Sequence, residues 1–236
     1  MTASKRIAIV QSSYIPWKGF FDMIASVDEF VLYDEVQYTR RDWRSRNQIK
    51  SPEGPRWLTI PVQTRGHRNM SIREIRVADP GWARHHWRSL CHSYAKAPCF
   101  RPLRPWLEDL YLAPQPEDLS SINHRFLQAI MDVLDIRTPL RWSSDYPAGE
   151  AGRSERLLSI CLQAGAGVYL SGPAARDYLD VGRFEAAGVQ VEWMSYAGYP
   201  EYPQLHGPFM HQLSVLDLLV HTGDRAPKYL LRAGAS

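Results

Sequence analysis

At 236 residues, with 44% hydrophobic and 22% charged residues, the chain has the length for one large α/β domain and the composition of an ordinary globular protein. A net charge of only +3 argues against a general nucleic-acid binder, and no apolar run reaches the roughly 18 residues of a membrane-spanning helix. Cys91, Cys99 and Cys161 show no paired spacing, so no disulfide framework is expected, and the apolar run after Met1–Arg6 is too short for a signal-peptide core; a cytoplasmic chain is expected.

Taken in order, Ile7–Gln11 reads as a strand, Ser12–Gly19 as a turn, Phe20–Val27 as a helix and Phe30–Asp34 as a second strand. This is a β-α-β unit, which implies parallel strands buried on both faces. Ligands of open α/β sheets sit beyond the carboxyl ends of the strands. Gln11 and Asp34 are therefore expected to face one crevice. Arg40, Arg41, Arg44, Arg46 and Lys50 follow at once, opposed within that stretch by Asp42 alone and interleaved with Tyr38 and Trp43. Such a cluster suits a phosphate or another anion; the plainer account is a solvated face.

Trp57–Val62 reads as a strand and Gln63–Ser71 as a polar loop, and the alternation of Ile72–Val77 suggests another short strand. Asp79-Pro80 opens a helix that runs to about Ala95, where His85 and His92 share a face without the spacing of a metal site. Shorter helices are expected at Trp106–Leu112 and Leu119–Leu134, giving a mostly helical subdomain at about 79–142 of a single 1–236 α/β domain. Ser143–Gly149 reads as a seam. Ser154 then caps a helix to Leu162, and Gly167–Leu170 forms a strand ending on Ser171-Gly172-Pro173. A crossover from Ala174 to Ala187 leads to the strand Val189–Trp193. Backbone amides at the Ser171-Gly172 turn suit an anion, though a plain tight turn explains it as well. The Tyr- and Pro-rich loop Tyr196–Gly207 is of the kind that covers sites. Leu213–Thr222 is the last helix, and the tail from Arg225 is expected to be loosely held. The fold class is thus α/β, a parallel, Rossmann-like sheet with β-α-β units at both ends of the chain and a helical middle insertion.

No P-loop, no G-x-G-x-x-G, no G-x-S-x-G and no metal quartet is present. What remains is a constellation. Asp34 and Tyr14 are the candidate catalytic groups, Asp34 as a general base or, equally, as a cap. Gln11, Arg41, Arg44, Arg46, Asn47, Lys50, Ser171 and Gly172 are the candidate substrate-binding residues; Lys18 and Lys96 read as surface cations.

The blocks Gln11-x-x-Tyr14-x-Pro16-Trp17-x-Gly19-Phe20-Phe21, Asp34-Glu35-Val36-Gln37-Tyr38, Arg41-Asp42-Trp43-Arg44-x-Arg46-Asn47 and Trp57-Leu58-Thr59-x-Pro61-Val62 resemble the WbqC-like protein family. So do Tyr94-x-Lys96-x-Pro98, Tyr169–Ala175 and Leu213–Asp217. The resemblance implies a bacterial protein of surface-polysaccharide or related biosynthesis that adds glycine or a similar acyl unit to an amino sugar. On that reading Arg44, Arg46 and Lys50 clamp a diphosphate, and Asp34 takes the proton of the attacking amine. The expected partners are a phosphorylated or nucleotide-linked small molecule and an activated acyl donor, free or on a carrier protein or tRNA; ATP is the other candidate cofactor, and no membrane or other nucleic-acid partner is expected. The alternatives are an ATP-dependent amide ligase of nucleotidyltransferase-like fold, although the His-x-x-His signature of that fold is missing, and a non-catalytic scaffold of a biosynthetic complex.

Overall fold

A computed structural model describes residues 4–63, 69–147 and 152–231. The first apolar run forms β1 (Arg6–Val10), followed by α1 (Lys18–Ala25) and β2 (Glu29–Leu32). The basic segment then runs into a hairpin, β3 (Arg46–Ser51) and β4 (Gly54–Thr59), which forms its own antiparallel sheet. Helices α2 (Trp82–Tyr94), α3 (Phe100–Leu112) and α4 (Leu119–Val133) complete the insertion. β5 (Leu140–Trp142) returns the chain to the main sheet. The second half adds α5 (Arg153–Gln163), β6 (Val168–Ser171), α6 (Val181–Ala186), β7 (Gln190–Trp193) and α7 (Val215–Thr222).

The main sheet has five strands in the order β5-β2-β1-β6-β7, every neighbouring pair parallel. Counted along the chain, that is the 3-2-1-4-5 order of a Rossmann-like sheet, as expected. Growth of the sheet reverses between β1 and β6, so the switch point lies beyond Val10 and Ser171. The period-2 alternation of β1 sends Ile7 and Ile9 to one face, against Leu157 and Ile160 of α5 and Phe184 of α6. Ala8 faces the other side, where Phe30 and Leu32 join one apolar cluster with Phe21 of α1, Trp82 of α2, Phe126 of α4 and Leu216 of α7. The insertion therefore shares its core with the sheet.

Several local expectations are corrected. Ile72–Val77 is not a strand. Ile72–Glu74 winds into a 3-10 turn because the Glu74 carboxylate accepts from both the backbone N–H and the hydroxyl of Ser71, a capping box that outcompetes pairing; Val77 keeps only an isolated bridge to Val62. The middle segment ends in a strand, β5, whose three residues were too few to read as one. Ser154 does not cap α5, whose cap position is Gly152; its hydroxyl instead accepts from the backbone N–H of Asp180 at 3.2 Å, fixing the turn before α6. The crossover after β6 is made of a 3-10 turn (Pro173–Asp177) and the short α6. The described part of the tail, to Leu231, is held: Ala226 and Leu230 are buried, and residues 223–229 form a 3-10 turn entered through Gly223 at φ +53°; the rest of the tail lies outside the described residues.

A buried polar network fastens the insertion to the C-terminal segment. The Lys50 backbone N–H donates to the Tyr94 hydroxyl (3.0 Å), which donates to the Asp217 carboxylate (2.8 Å). Asp217 also accepts from Tyr202 and from the Gln204 amide, both at 2.8 Å. The Lys50 ammonium donates to the Gln204 side-chain oxygen (3.1 Å) and to the carbonyls of Gly207 (3.2 Å) and Pro208 (2.5 Å). Lys50, Tyr94 and Asp217 are 2%, 0% and 0% exposed, so water does not replace a partner lost from any of them. Tyr94→Phe strands a donor and an acceptor together. It should cost about 3 kcal/mol of unfolding free energy in urea titration without changing the far-ultraviolet circular dichroism; a loss below about 0.5 kcal/mol would show that the network is not cooperative.

Candidate functional site

Beyond the end of β1, at the switch point of the sheet, opens a cavity of about 610 Å³. Its floor is Val10, Ser13 and Phe20; Pro16 and Trp17 form one wall, Trp43, Arg44 and Asn47 another, and Tyr196, Gly198 and Tyr199 from the long loop a third, with His211 and Gln212 at the mouth. The cavity falls within the size range of small-molecule sites.

Each wall has a local cause. Trp17 lies back against α1 because residue 19 is glycine; a Cβ there would drive into the indole ring. Tyr196 and Tyr199 meet that ring edge-on, at centroid distances of 5.1 and 5.6 Å. The turn before Trp17 is strained, with Ile15 at φ +37°, unfavourable for a β-branched residue. The Asn47 amide holds it by donating to the carbonyls of Tyr14 (3.2 Å) and Ile15 (3.0 Å). The loop carrying Tyr199 is anchored by its hydroxyl on Asp22 (2.7 Å) and by Lys18, whose ammonium donates to the Pro200 carbonyl at 2.9 Å. Lys18 is no surface cation. It is 2% exposed among the rings of Tyr199, Tyr202 and Phe209, and burial lowers its pKa to about 8. Lys96 is exposed.

Of the residues expected in the site, Arg44 and Asn47 line the cavity. Arg44 donates to the Gln11 carbonyl at 3.3 Å and stands 3.7 Å from the Asp42 carboxylate; its Nε has no hydrogen-bond partner among the described residues, and burial lowers its pKa. Asp34 lies beneath the floor, 1% exposed. One of its oxygens accepts from the Ser12 backbone N–H at 2.8 Å and the other from the Ser120 hydroxyl. Asn123 extends this set, donating to the Ser12 hydroxyl and to the Arg44 carbonyl, each at 2.9 Å. Asp34 thereby ties the ends of β1 and β2 to α4 and sets the height of Arg44. Ser171 is buried at the end of β6, and Gly172 lies under the Tyr196 hydroxyl. Arg46 stacks on Trp57, Lys50 is engaged under the loop, and Arg41 is exposed in a turn at φ +58°.

Tyr14 belongs to a buried relay. The Thr59 carbonyl can only accept, so His86 donates to it through Nε2–H (3.1 Å). Burial holds His86 neutral, with a pKa of about 4, so its Nδ1 accepts from the Tyr14 hydroxyl at 2.9 Å, and Tyr14 in turn accepts from Tyr111 at 2.9 Å. Sequence reading missed Trp17, His211 and Gln212 as wall residues; Tyr196 and Tyr199 were not named singly, but they belong to the Tyr- and Pro-rich loop expected to cover a site. Among the described residues no group of three or more His, Cys, Asp or Glu side chains is arranged to hold a metal ion, and no helix is long and apolar enough to cross a membrane. His85 and His92 are both exposed on α2.

Comparison with known proteins bears on this site. The profile of the WbqC-like protein family matches residues 11–229, which span every wall of the cavity beyond β1. The uncharacterized protein Rv1507c of Mycobacterium tuberculosis is 47% identical over 226 residues, covering 96% of this chain and 97% of that protein. No solved structure matches.

Two outcomes test this geometry. The folded pKa of His86 lies below its ordinary 6.5, so as pH falls through that window the unfolded chain binds a proton that the folded chain refuses. Stability is complete above about pH 6.5 and drops by about 3 kcal/mol toward pH 4 from this residue. Urea midpoints measured across that range check it, and a flat profile would contradict it. Asp34→Ala removes both acceptors and strands the buried Ser12 N–H and Ser120 hydroxyl, and should lower stability by about 2 kcal/mol or more in the same titration; unchanged stability would exclude the tying role.

Proposed function

The chain belongs to the WbqC-like protein family, and from that premise we propose that it is an acyl or aminoacyl transferase that forms an amide on a phosphorylated or nucleotide-linked amino sugar. The observation that carries the reading is the cavity at the switch point, walled by Trp17, Tyr196 and Tyr199 with the partly unsatisfied Arg44 guanidinium on its side. Aromatic walls suit the apolar face of a sugar ring. A mostly buried guanidinium at the cavity wall, 13% exposed, suits a phosphate oxygen. The family resemblance supports a place in bacterial surface-polysaccharide or natural-product biosynthesis.

The chemistry needs an unprotonated amine near an activated acyl carbon. We assign proton removal to His211. It stands at the mouth of the cavity, where burial and then the positive charge of Lys18 lower its pKa from the ordinary value, so the imidazole is neutral and basic near pH 7. The amine lone pair forms the C–N bond, the proton passes to the imidazole, and the bond from the acyl carbon to its carrier breaks with its electrons on the leaving atom, which recovers a proton. Positioning of the two substrates supplies the rest of the rate. Asp34, expected from sequence as the base, is assigned a positioning role: both its oxygens are engaged by groups of the chain and it lies behind the floor. Lys50 is assigned to holding the loop, so the diphosphate clamp reduces to Arg44, with Arg46 at its edge.

The test is incubation of the protein with a nucleotide-linked amino sugar and, in separate reactions, an acyl-coenzyme A, an aminoacyl-tRNA, and a free amino acid with ATP. Mass spectrometry reads the acylated amine. A product from a pre-activated donor without ATP is expected; a product only with ATP, accompanied by pyrophosphate or phosphate release, would replace the transferase by a ligase. Arg44→Ala should raise KM for the phosphorylated acceptor roughly 10- to 100-fold, the scale of a charged hydrogen bond. His211→Gln should lower kcat about 10²-fold or more with little change in KM, and abolish an acid limb that in the native enzyme lies below pH 6.5. A His211→Gln enzyme of native rate would remove that residue from the chemistry.

A further inference from the structure

The hairpin beside the cavity exposes more aromatic surface than folding requires. Trp43 and Trp57 are 41% and 40% exposed, yet they are not scattered: their rings lie 5.4 Å apart at 40°. β3 and β4 pair with Gln48 opposite Trp57 and Arg46 opposite Thr59, so Arg46 and Trp57 are diagonal neighbours on one face of the hairpin. The Arg46 guanidinium accordingly sits 4.1 Å from the Trp57 ring centroid. Its Nε is buried and without a hydrogen-bond partner among the described residues. Trp43 also lines the cavity, next to Arg44. The result is a platform of two indoles and a cation, continuous with the cavity wall. An exposed aromatic pair with cations at its edge is a surface for flat, π-rich, anionic ligands.

We propose that the Trp43–Trp57–Arg46 platform is a nucleobase subsite: a base stacks on the exposed indoles while its phosphates reach Arg44 and Arg46, leaving the cavity proper to the group that reacts. This rests on the proposed transfer to a phosphorylated acceptor and deepens it by naming a nucleotide as the handle. The same chemistry is presented by the nucleoside diphosphate of an activated sugar and by the single-stranded end of an RNA that carries an acyl group. The hairpin's position on the cavity rim admits a base from either.

Calorimetric titration of the full chain with UDP, ADP, inorganic pyrophosphate and a single-stranded RNA hexamer, read together with tryptophan fluorescence, tests it. A nucleoside diphosphate is expected to bind at least about tenfold more tightly than pyrophosphate and to quench tryptophan emission, the scale of one base–aromatic stack. Trp57→Ala and Trp43→Ala should each weaken the nucleoside diphosphate about tenfold and leave pyrophosphate unchanged; Trp57→Tyr should restore most of the affinity. Both side chains are exposed, so melting temperatures close to native are expected. Tighter binding of the hexamer than of either nucleotide, with the same tryptophan dependence, assigns the base to an RNA end; the reverse order assigns it to a nucleotide sugar. Equal affinity for nucleotide and pyrophosphate, no binding of either, or affinity indifferent to both tryptophans overturns the subsite. Amide formed on an amino-sugar phosphate that lacks a base would overturn the nucleotide handle while leaving the transferase intact. Tryptophan-dependent nucleotide binding without any amide product would do the opposite.

Discussion

The Lys50 ammonium, the Tyr94 hydroxyl and the Asp217 carboxylate are buried together, and the remainder of the molecule is built so that none of them stands alone. Burying an unpaired charge is far more costly than any single contact here gains. The arrangement therefore requires three distant segments to arrive at once: β3, α2, and the loop and helix around α7. That requirement makes the C-terminal segment part of the site. Without Gln204 and the carbonyls of Gly207 and Pro208 to receive it, the Lys50 ammonium would have no reason to be inside, and the loop bearing Tyr196 and Tyr199 would have no anchor at its far end.

A second tie does for the floor of the cavity what this network does for its cover. Asp34 gathers Ser12, Ser120 and, through Ser12, Asn123, so the loop after β1, the end of β2 and the first turn of α4 meet at one carboxylate. Asn47 holds the strained Ile15 turn from the other side. Strain of this kind persists only where the surroundings over-determine it. Here it aims Ser13, Pro16 and Trp17 into the cavity. The carboxylate with both oxygens engaged, Asp34, thus lies behind the walls, and the Arg44 guanidinium, which makes one hydrogen bond and one looser ion pair, lies at one of them. That division separates positioning from binding.

The parallel sheet was legible because its strands are short apolar runs, separated by helical segments, and a run buried on both faces needs no partner to be recognised. The position of a crevice followed from the same logic, since the end of a parallel strand is where the backbone turns outward, but neither Gln11 nor Asp34, expected to face it, is among the residues that line it. Less legible were features that depend on competition. Ile72–Val77 alternates like a strand but is captured by Ser71 and Glu74. Leu140–Trp142 is a strand only because the edge of β2 accepts it. Lys18 looks like any surface lysine until Pro200 and three aromatic rings close around it.

What the sequence by itself determined is the α/β class, the family and the β-α-β units at either end, because these follow from local periodicity and from residues adjacent in the chain. Only the tertiary structure decided which charges face a ligand. Lys50 and Arg44 are six residues apart and chemically alike in sequence, yet one is consumed by carbonyls from the loop at 204–208 and the other is left at the cavity wall. Likewise Trp57 and Trp43 become one platform only when β4 folds back on β3. A side chain's role is set by the donors and acceptors that reach it, and for Lys50 those come from a segment more than a hundred residues away, whose arrival no local pattern records.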